Sequence, residues 1–476
     1  MGMTKELWSW TAAELATAIA VGDISSVEAT EAAIARMEAV NPALNAVVDA
    51  LPEQALKDAR AADAARAQGE ELGVLHGVPV TTKMNADYKG RATANGVPAF
   101  ADLIAPEDGS VVRSLRASGA VIIGRTNTPA FSMSFFTDND LFGPTMNPYD
   151  PEITPAGSSG GAGAAVAAGI GALAHGSDIG GSIRLPAYVN GVFGLRPTAG
   201  LLPCHNPSSR SERLLASQVA SVQGALARSV KDIRLGLQAL SLWDPRDPLQ
   251  VVMPPVDLGY VARPCKVAMI REPEGCTADP QVVDAIIRAA AMLSDAGYEV
   301  EEVETPSLLA ASELWQVVVG HELLSGPIHG IRKLGDARVN RLMDLLCDTL
   351  EPLDRDAFLA AFASRNAVLR QWQMLFATHP IVLTAPSWRR PYPARHDMQP
   401  ETSGQTYLTE LAPAFMPPVL GLPGLSVPMG VVDGLPTGVQ LLSTRFAENM
   451  LLAAGEVLER RQPALRPIDP RPSRQS

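Results

Sequence analysis

Cysteine is scarce in this chain: four residues among 476, at positions 204, 265, 276 and 347, with no CxxC pair and no histidine at finger spacing. That excludes a disulfide framework and a zinc module, and scattered free thiols predict a cytoplasmic location. Basic residues are also short, 39 Lys+Arg against 51 Asp+Glu, for a net charge of −12. Such a surface repels phosphate backbones and anionic lipid, so no nucleic-acid and no membrane partner is expected. The opening MGMTKELWSW lacks the basic head and apolar core of a signal peptide, and Glu6 breaks the myristoylation pattern. No apolar run is suited to crossing a bilayer: the uncharged stretch from Pro155 to Ser177 is mostly Gly, Ala and Ser and reads as interior. Missing too are a G-x-G-x-x-G after a strand and the Gly-Lys-Ser/Thr of a phosphate loop. His321-Glu322 begins H-E-x-x-H, but position 325 is Ser, so the ligand pair is incomplete and no metal is expected.

What is present alternates between helix and strand. Thr11-Ala-Ala-Glu14 and Ser25-Ser-Val-Glu28 are capping boxes that predict helices over about 12–20 and 26–39. Val78-Pro-Val-Thr-Thr82 predicts a strand that ends on Lys83; 110–117 predicts a helix closed by Gly119, and Ala120 to Gly124 a buried strand. The alternation recurs at Val267 to Ile270, a helix from Pro280 to Leu293, and Tyr298 to Val303. Strand candidates at Ile381 to Thr384 and Val439 to Leu442 and a helix from Glu448 to Arg460 follow. The expected fold is one large α/β domain over 1–462, with a twisted, mixed, mainly parallel sheet covered by helices on both faces. Its core is expected at about 70–210, with a helical, lid-forming insertion at about 310–378. Residues 463–476, rich in Pro and Arg, read as a flexible tail. A closed homodimer is the default assembly for such a chain.

The chemistry concentrates in two Gly/Ser turns around a helix of small residues, Ala156-Gly-Ser-Ser-Gly-Gly161 and Gly176-Ser-Asp-Ile-Gly-Gly-Ser182. The spacing leaves room for helix, strand and turn, so the two hydroxyl clusters can converge. Asp178-Ile-Gly-Gly-Ser182 presents consecutive N–H groups on a flexible turn, as a developing oxyanion requires, which makes Ser182 a candidate acyl-transfer nucleophile in need of a base. Gly157-Ser-Ser159-Gly-Gly161 also matches G-x-S-x-G, the nucleophile elbow of α/β-hydrolases, and His379 and His396 are late histidines for such a triad. An elbow follows a buried strand, however, and Asn147-Pro-Tyr-Asp-Pro-Glu-Ile-Thr-Pro155 does not form one.

Together with Leu141-Phe-Gly-Pro-Thr-Met-Asn-Pro148, Leu422-Pro-Gly-Leu-Ser-Val-Pro428 and Gly434-Leu-Pro-Thr-Gly-Val-Gln440, these motifs resemble the amidase signature family over nearly the whole chain. The resemblance implies a serine amidohydrolase acting on a small-molecule amide, ester or carbamate, without metal or organic cofactor. It implies Lys83 as catalytic lysine, Ser158 as bridging serine on a cis peptide bond, and Ser182 as nucleophile. Ile179, Gly180, Gly181 and Ser182 would form the oxyanion hole, with Ser159, Asp178 and Arg184 bracing the turns. Burial would leave Lys83 neutral and able to take a proton. The chain has Met84-Asn85 where many members follow the lysine with Asp-Asn. Met133, Phe135 and Phe136 are candidates for an acyl pocket that favours aryl groups, core packing being the other reading. The loop Trp388-Arg-Arg-Pro-Tyr392 reads as a border of the substrate entrance. The same family includes the glutamine-hydrolysing component of tRNA-dependent amidotransferase, which needs a partner protein and is the alternative reading.

Overall fold

Thr11 and Ser25 each close a capping box, the hydroxyl accepting from the N–H three residues on and the glutamate reaching back, and the helices Ala12–Val21 and Ser26–Leu44 follow. The second runs past its expected end, through Pro42, to Asn45 in the left-handed conformation. The computed structural model describes residues 6–209, 211–253, 260 and 263–472.

Among the described residues eleven strands form one sheet: β1 (Val47–Ala50), β2 (Pro79–Lys83), β3 (Val121–Thr126), β4 (Leu173–Asp178), β5 (Phe193–Arg196), β6 (Val222–Ala227), β7 (Lys266–Met269), β8 (Glu299–Glu301), β9 (Ile381–Thr384), β10 (Gly424–Val432) and β11 (Leu435–Ser443). Their order is β1-β3-β2-β4-β6-β5-β10-β11-β9-β7-β8. Parallel pairing holds in two wings, β3-β2-β4 and β9-β7-β8, where strands alternate with helices in the sequence. Between them, from β4 through β6, β5, β10 and β11 to β9, neighbours run antiparallel. The sheet is therefore a mixed one inside a single α/β domain.

Residues 308–378 are mostly helical, from Leu308–Trp315 through a wide π turn at Gln316–Gly320 to the long helix Arg355–Thr378. Of the segment 463–476 expected as a flexible tail, residues 473–476 lie outside the described residues and 463–472 depart from that expectation. Ile468 N–H donates to Ala167 O, Arg471 N–H to Pro148 O, and Arg36 grips both Ile468 O and Asp469. Residues 463–472 thus lie docked along the domain, held by backbone hydrogen bonds that their polar composition did not announce. Among the described residues no helix is long and apolar enough to cross a membrane.

Candidate active site

β2 delivers Lys83 to the sheet interior. All five residues of the strand are buried, and Lys83 has no exposed surface. Its backbone N–H donates to His175 Nδ1 on β4 at 3.2 Å, so the Nε2 of that ring carries the proton shared with Gln223 Oε1 at 2.8 Å. Burial lowers His175 to about 4, which leaves it a neutral brace between strands. The Lys83 Nζ donates to Ser158 Oγ at 2.6 Å and to Ser177 Oγ at 3.1 Å. Burial brings its pKa down to about 7, against an upward pull from Asp178, so the amine is available as a base near neutrality.

The two Gly/Ser turns meet as their spacing predicts. The helix Gly160–Ala167 and β4 fill the interval, and Ser159 N–H donates to Ser182 O at 3.2 Å. The Gly157–Ser158 peptide is cis. A Cβ on Gly161 would lie 2.5 Å from the Asn127 backbone nitrogen, and the small-residue helix packs closely for that reason. Ser182, 6% exposed, borders a largely apolar cavity, while Ser158 and Lys83 are buried away from its lining. Ser159 is fully buried, and its hydroxyl exchanges hydrogen bonds with the Ser177 backbone at 3.3 Å. The α/β-hydrolase reading fails there, because that oxygen is enclosed and spends its hydrogen bonds on backbone, with neither late histidine beside it. His379 pairs with Glu301, and His396 stacks on Tyr392.

Asp178 organises the second turn. Its carboxylate accepts from Gly181 N–H at 2.9 Å, Ile183 N–H at 3.1 Å and two Arg184 nitrogens at 3.1 Å. Burial pushes this carboxyl up, but Arg184 and Arg196 outweigh it and hold it at about 2. Arg196 also donates to Asp178 O at 2.6 Å, and Leu185 N–H to Gly181 O at 2.7 Å. Each held carbonyl turns the N–H of the next residue the opposite way, since a trans peptide keeps them antiparallel. Ile179 and Ser182 are oriented in this manner. Gly181 differs from the expected role: its N–H is committed to Asp178, so it fixes the turn and is not a free donor.

The cavity beside Ser182 is lined by Met133, Phe135, Trp315, Leu345, Tyr407 and Phe415 among others. Phe136 is turned away and only 2% exposed, packing on Tyr392 and under the Arg338 guanidinium. Of the adjacent phenylalanines one therefore serves the cavity and one the core. The Trp388 to Tyr392 loop also lies behind the wall, with Trp388 buried, Arg389 paired to Asp279 and Glu410, and Tyr392 donating to Glu410. Glu322, of the incomplete H-E-x-x-H, caps the helix Leu215–Ala220 by accepting from Leu215 and Ala216 N–H at 2.7 Å each. Among the described residues no cluster suited to a metal ion exists.

Sequence reading missed Ser177, Asn85, Arg196, Trp315 and Gln440. Asn85 donates to Ser177 Oγ at 3.0 Å and Gln440 accepts from Arg184 at 2.7 Å. Asn85, Ser177 and Gln440 stand inside quoted motifs, whereas Arg196 and Trp315 carried no signal.

The Amidase family profile matches residues 28–452. An indoleacetamide hydrolase of Bradyrhizobium diazoefficiens is 45% identical over 457 residues, 96% of this chain and 87% of that one. A glutamyl-tRNA(Gln) amidotransferase subunit from Moorella thermoacetica is 35% identical, covering 97% and 99%. The solved structure of a bacterial aryl acylamidase of the amidase signature enzymes superposes with a TM-score of 0.83 at 27% identity, over 95% of this chain and 96% of that one. The chain belongs to the amidase signature family. It is a serine amidohydrolase that cleaves the C–N bond of small-molecule amides.

Proposed function

We propose that Ser182 is the nucleophile, Ser158 the proton bridge and Lys83 the base, acting on neutral aryl or arylalkyl amides. The observation that carries this reading is the 2.6 Å contact of a buried, pKa-lowered Lys83 with Ser158, directly behind the cavity that Ser182 borders. Neutral Lys83 takes the Ser158 proton while Ser158 takes that of Ser182, and the Ser182 oxygen bonds to the substrate carbonyl carbon. The N–H groups of Ile179, Gly180 and Ser182 hold the resulting oxyanion. The same relay returns a proton to the leaving nitrogen as the C–N bond breaks. Water then attacks the acyl-enzyme, gives its proton to the relay, and releases the acid and Ser182. Esters and carbamates share this tetrahedral chemistry and belong to the substrate range.

Among the described residues that line the cavity, Glu322 alone is charged, and its carboxylate is occupied by the Leu215 and Ala216 N–H groups. The carboxylate of glutamine finds no cation there, whereas the aromatic walls suit an apolar acyl group, as the name of the Bradyrhizobium relative suggests. The amidotransferase reading keeps one support, the 35% identity to the Moorella protein. Ammonia release by the purified chain from glutamine, aliphatic amides, arylacetamides and aryl carbamates, with Ser182→Ala as blank, separates the two. Turnover of aryl substrates and none of glutamine is expected. Glutamine hydrolysis alone, or activity that survives in Ser182→Ala, overturns the proposal.

A further inference from the structure

Asp178 O and Gly181 O are held by groups of the turn's own neighbourhood, but Ile179 O, one of the two carbonyls between them, is held from the helical segment 308–378. Trp315, the last residue of the helix Leu308–Trp315, donates from Nε1 to Ile179 O at 2.6 Å. The indole lies against Gly180, where a Cβ would meet Trp315 Cζ2 at 2.8 Å. Its other neighbour is Phe415, stacked at 4.3 Å and 15°. The residue before Phe415 closes a ring of contacts: Ala414 O accepts from Arg184 at 2.7 Å, the same guanidinium that grips Asp178. Gln440 joins this ring, accepting from Arg184 and donating to Pro413 O at 2.9 Å. The aromatic wall of the cavity is thus fastened to the oxyanion turn at two points. The chain also leaves Trp315 through a π turn, Gln316–Gly320, a rare local widening that often accompanies functional sites.

We infer that Trp315 is a positioning residue of the reaction: by holding Ile179 O it sets the Ile179–Gly180 peptide plane and aims the Gly180 N–H as an oxyanion donor, while its ring forms the acyl wall. The peptide is planar, so fixing the carbonyl fixes the N–H on its opposite side. One side chain then ties acyl-group recognition to transition-state stabilisation, and a substrate group that presses on the indole bears directly on the donor. This inference rests on the Ser182 reading above.

Trp315→Phe keeps an aromatic ring against Phe415 and removes the donor. kcat is expected to fall about tenfold on aryl and aliphatic amides alike, with KM changed less than about twofold. Affinity for an arylalkyl boronic acid, which forms a tetrahedral adduct on Ser182, should fall by the same factor as kcat/KM. Binding of uncleaved amide to Ser182→Ala should be unmoved when Trp315→Phe is added. A loss confined to KM, or equal weakening of boronate and amide, overturns the inference and leaves Trp315 a wall only. Should Trp315→Phe fold poorly, 3-benzothienylalanine at this position replaces N–H by sulfur in the same shape, and the same criteria apply. Boronate binding or activity that persists in Ser182→Ala would instead remove the site reading itself, whatever Trp315 does.

Discussion

Lys83 has no contact with solvent, and its charged form has little to pair with: Asp178 pulls its pKa up, but burial dominates and leaves it at about 7. Between that value and 10.5, the ordinary one, the unfolded chain holds a proton that the folded chain lacks. Lys83 therefore lowers stability at neutral pH, and the cost fades as pH rises toward 10.5. Lys83→Met should be more stable than the native enzyme at pH 7 by about 1–2 kcal/mol, after allowing for the lost hydrogen bonds to Ser158 and Ser177, and melt correspondingly higher, with the gap closing by pH 10. Equal melting temperatures at pH 7 would mean the amine is not destabilised. With Lys83 as the base of the proposed relay, the same shift sets the pH profile: kcat/KM should rise about tenfold per pH unit below about 7 and level off above it, and Lys83→Met should abolish the rise together with the activity. The place of Lys83 at the end of a buried strand was legible because a Val-Pro-Val run leads into it. Ser177 was not, since a second serine beside Asp178 looks like any turn residue until Lys83 and Asn85 are seen to share it.

At the level of elements, the caps were the clearest signals, because Thr11/Glu14 and Ser25/Glu28 act within four residues of one another. The antiparallel centre of the sheet was harder. β4 reads Leu-Ala-His-Gly-Ser-Asp, a fully buried strand whose polar residues are satisfied by distant partners such as Gln223 and Arg196, so neither alternation nor an apolar run marks it. Phe135 and Phe136 show the same limit: adjacent side chains diverge, and only the fold says which meets the cavity. The contact between Glu322 and the helix Leu215–Ala220 is likewise non-local, 106 residues from Ala216, and it places Leu214, Ala216 and Ser217 on the cavity wall. Glu322→Ala leaves two helix N–H groups without an acceptor, a loss of about 1 kcal/mol. The expected result is a severalfold rise in KM for bulky aryl amides with kcat for a small aliphatic amide unchanged. Unaltered KM across both would show that the clamp does not shape the cavity.

The whole molecule is stitched at its periphery as well as at its core. Residues 463–476 read as loose from a sequence rich in Pro and Arg, which bury little apolar surface, and the described part of that segment is 463–472. Composition, though, says nothing about backbone hydrogen bonds or about a receptor site elsewhere in the chain. Here Pro467 lies against Gly169, where a Cβ would approach it to 3.0 Å, and Arg36, 9% exposed, is stacked over Trp8 while it holds Ile468 O and Asp469. Arg471 lies over the Tyr149 ring and donates to Gly434 O. The segment therefore bridges the N-terminal helices, the C-terminal end of the helix Gly160–Ala167, the loop before the first Gly/Ser turn and the β10-β11 hairpin. The exposed Asp469 contributes little to this, since solvent weakens its ion pair with Arg36; the buried Arg36 donor to Ala168 O and the backbone bonds matter more. Ending the chain at Gln462 should lower the melting temperature by several degrees, and proteolysis near Ala167 should quicken. kcat/KM of the folded remainder should stay within about twofold, because the contacts lie at Ala167 and Gly169, the far end of that helix from Ser158. A truncated enzyme that melts with the full chain would show the docking to be energetically idle, and one that melts normally but loses activity would show that the helix carries strain to the serines of the proposed relay.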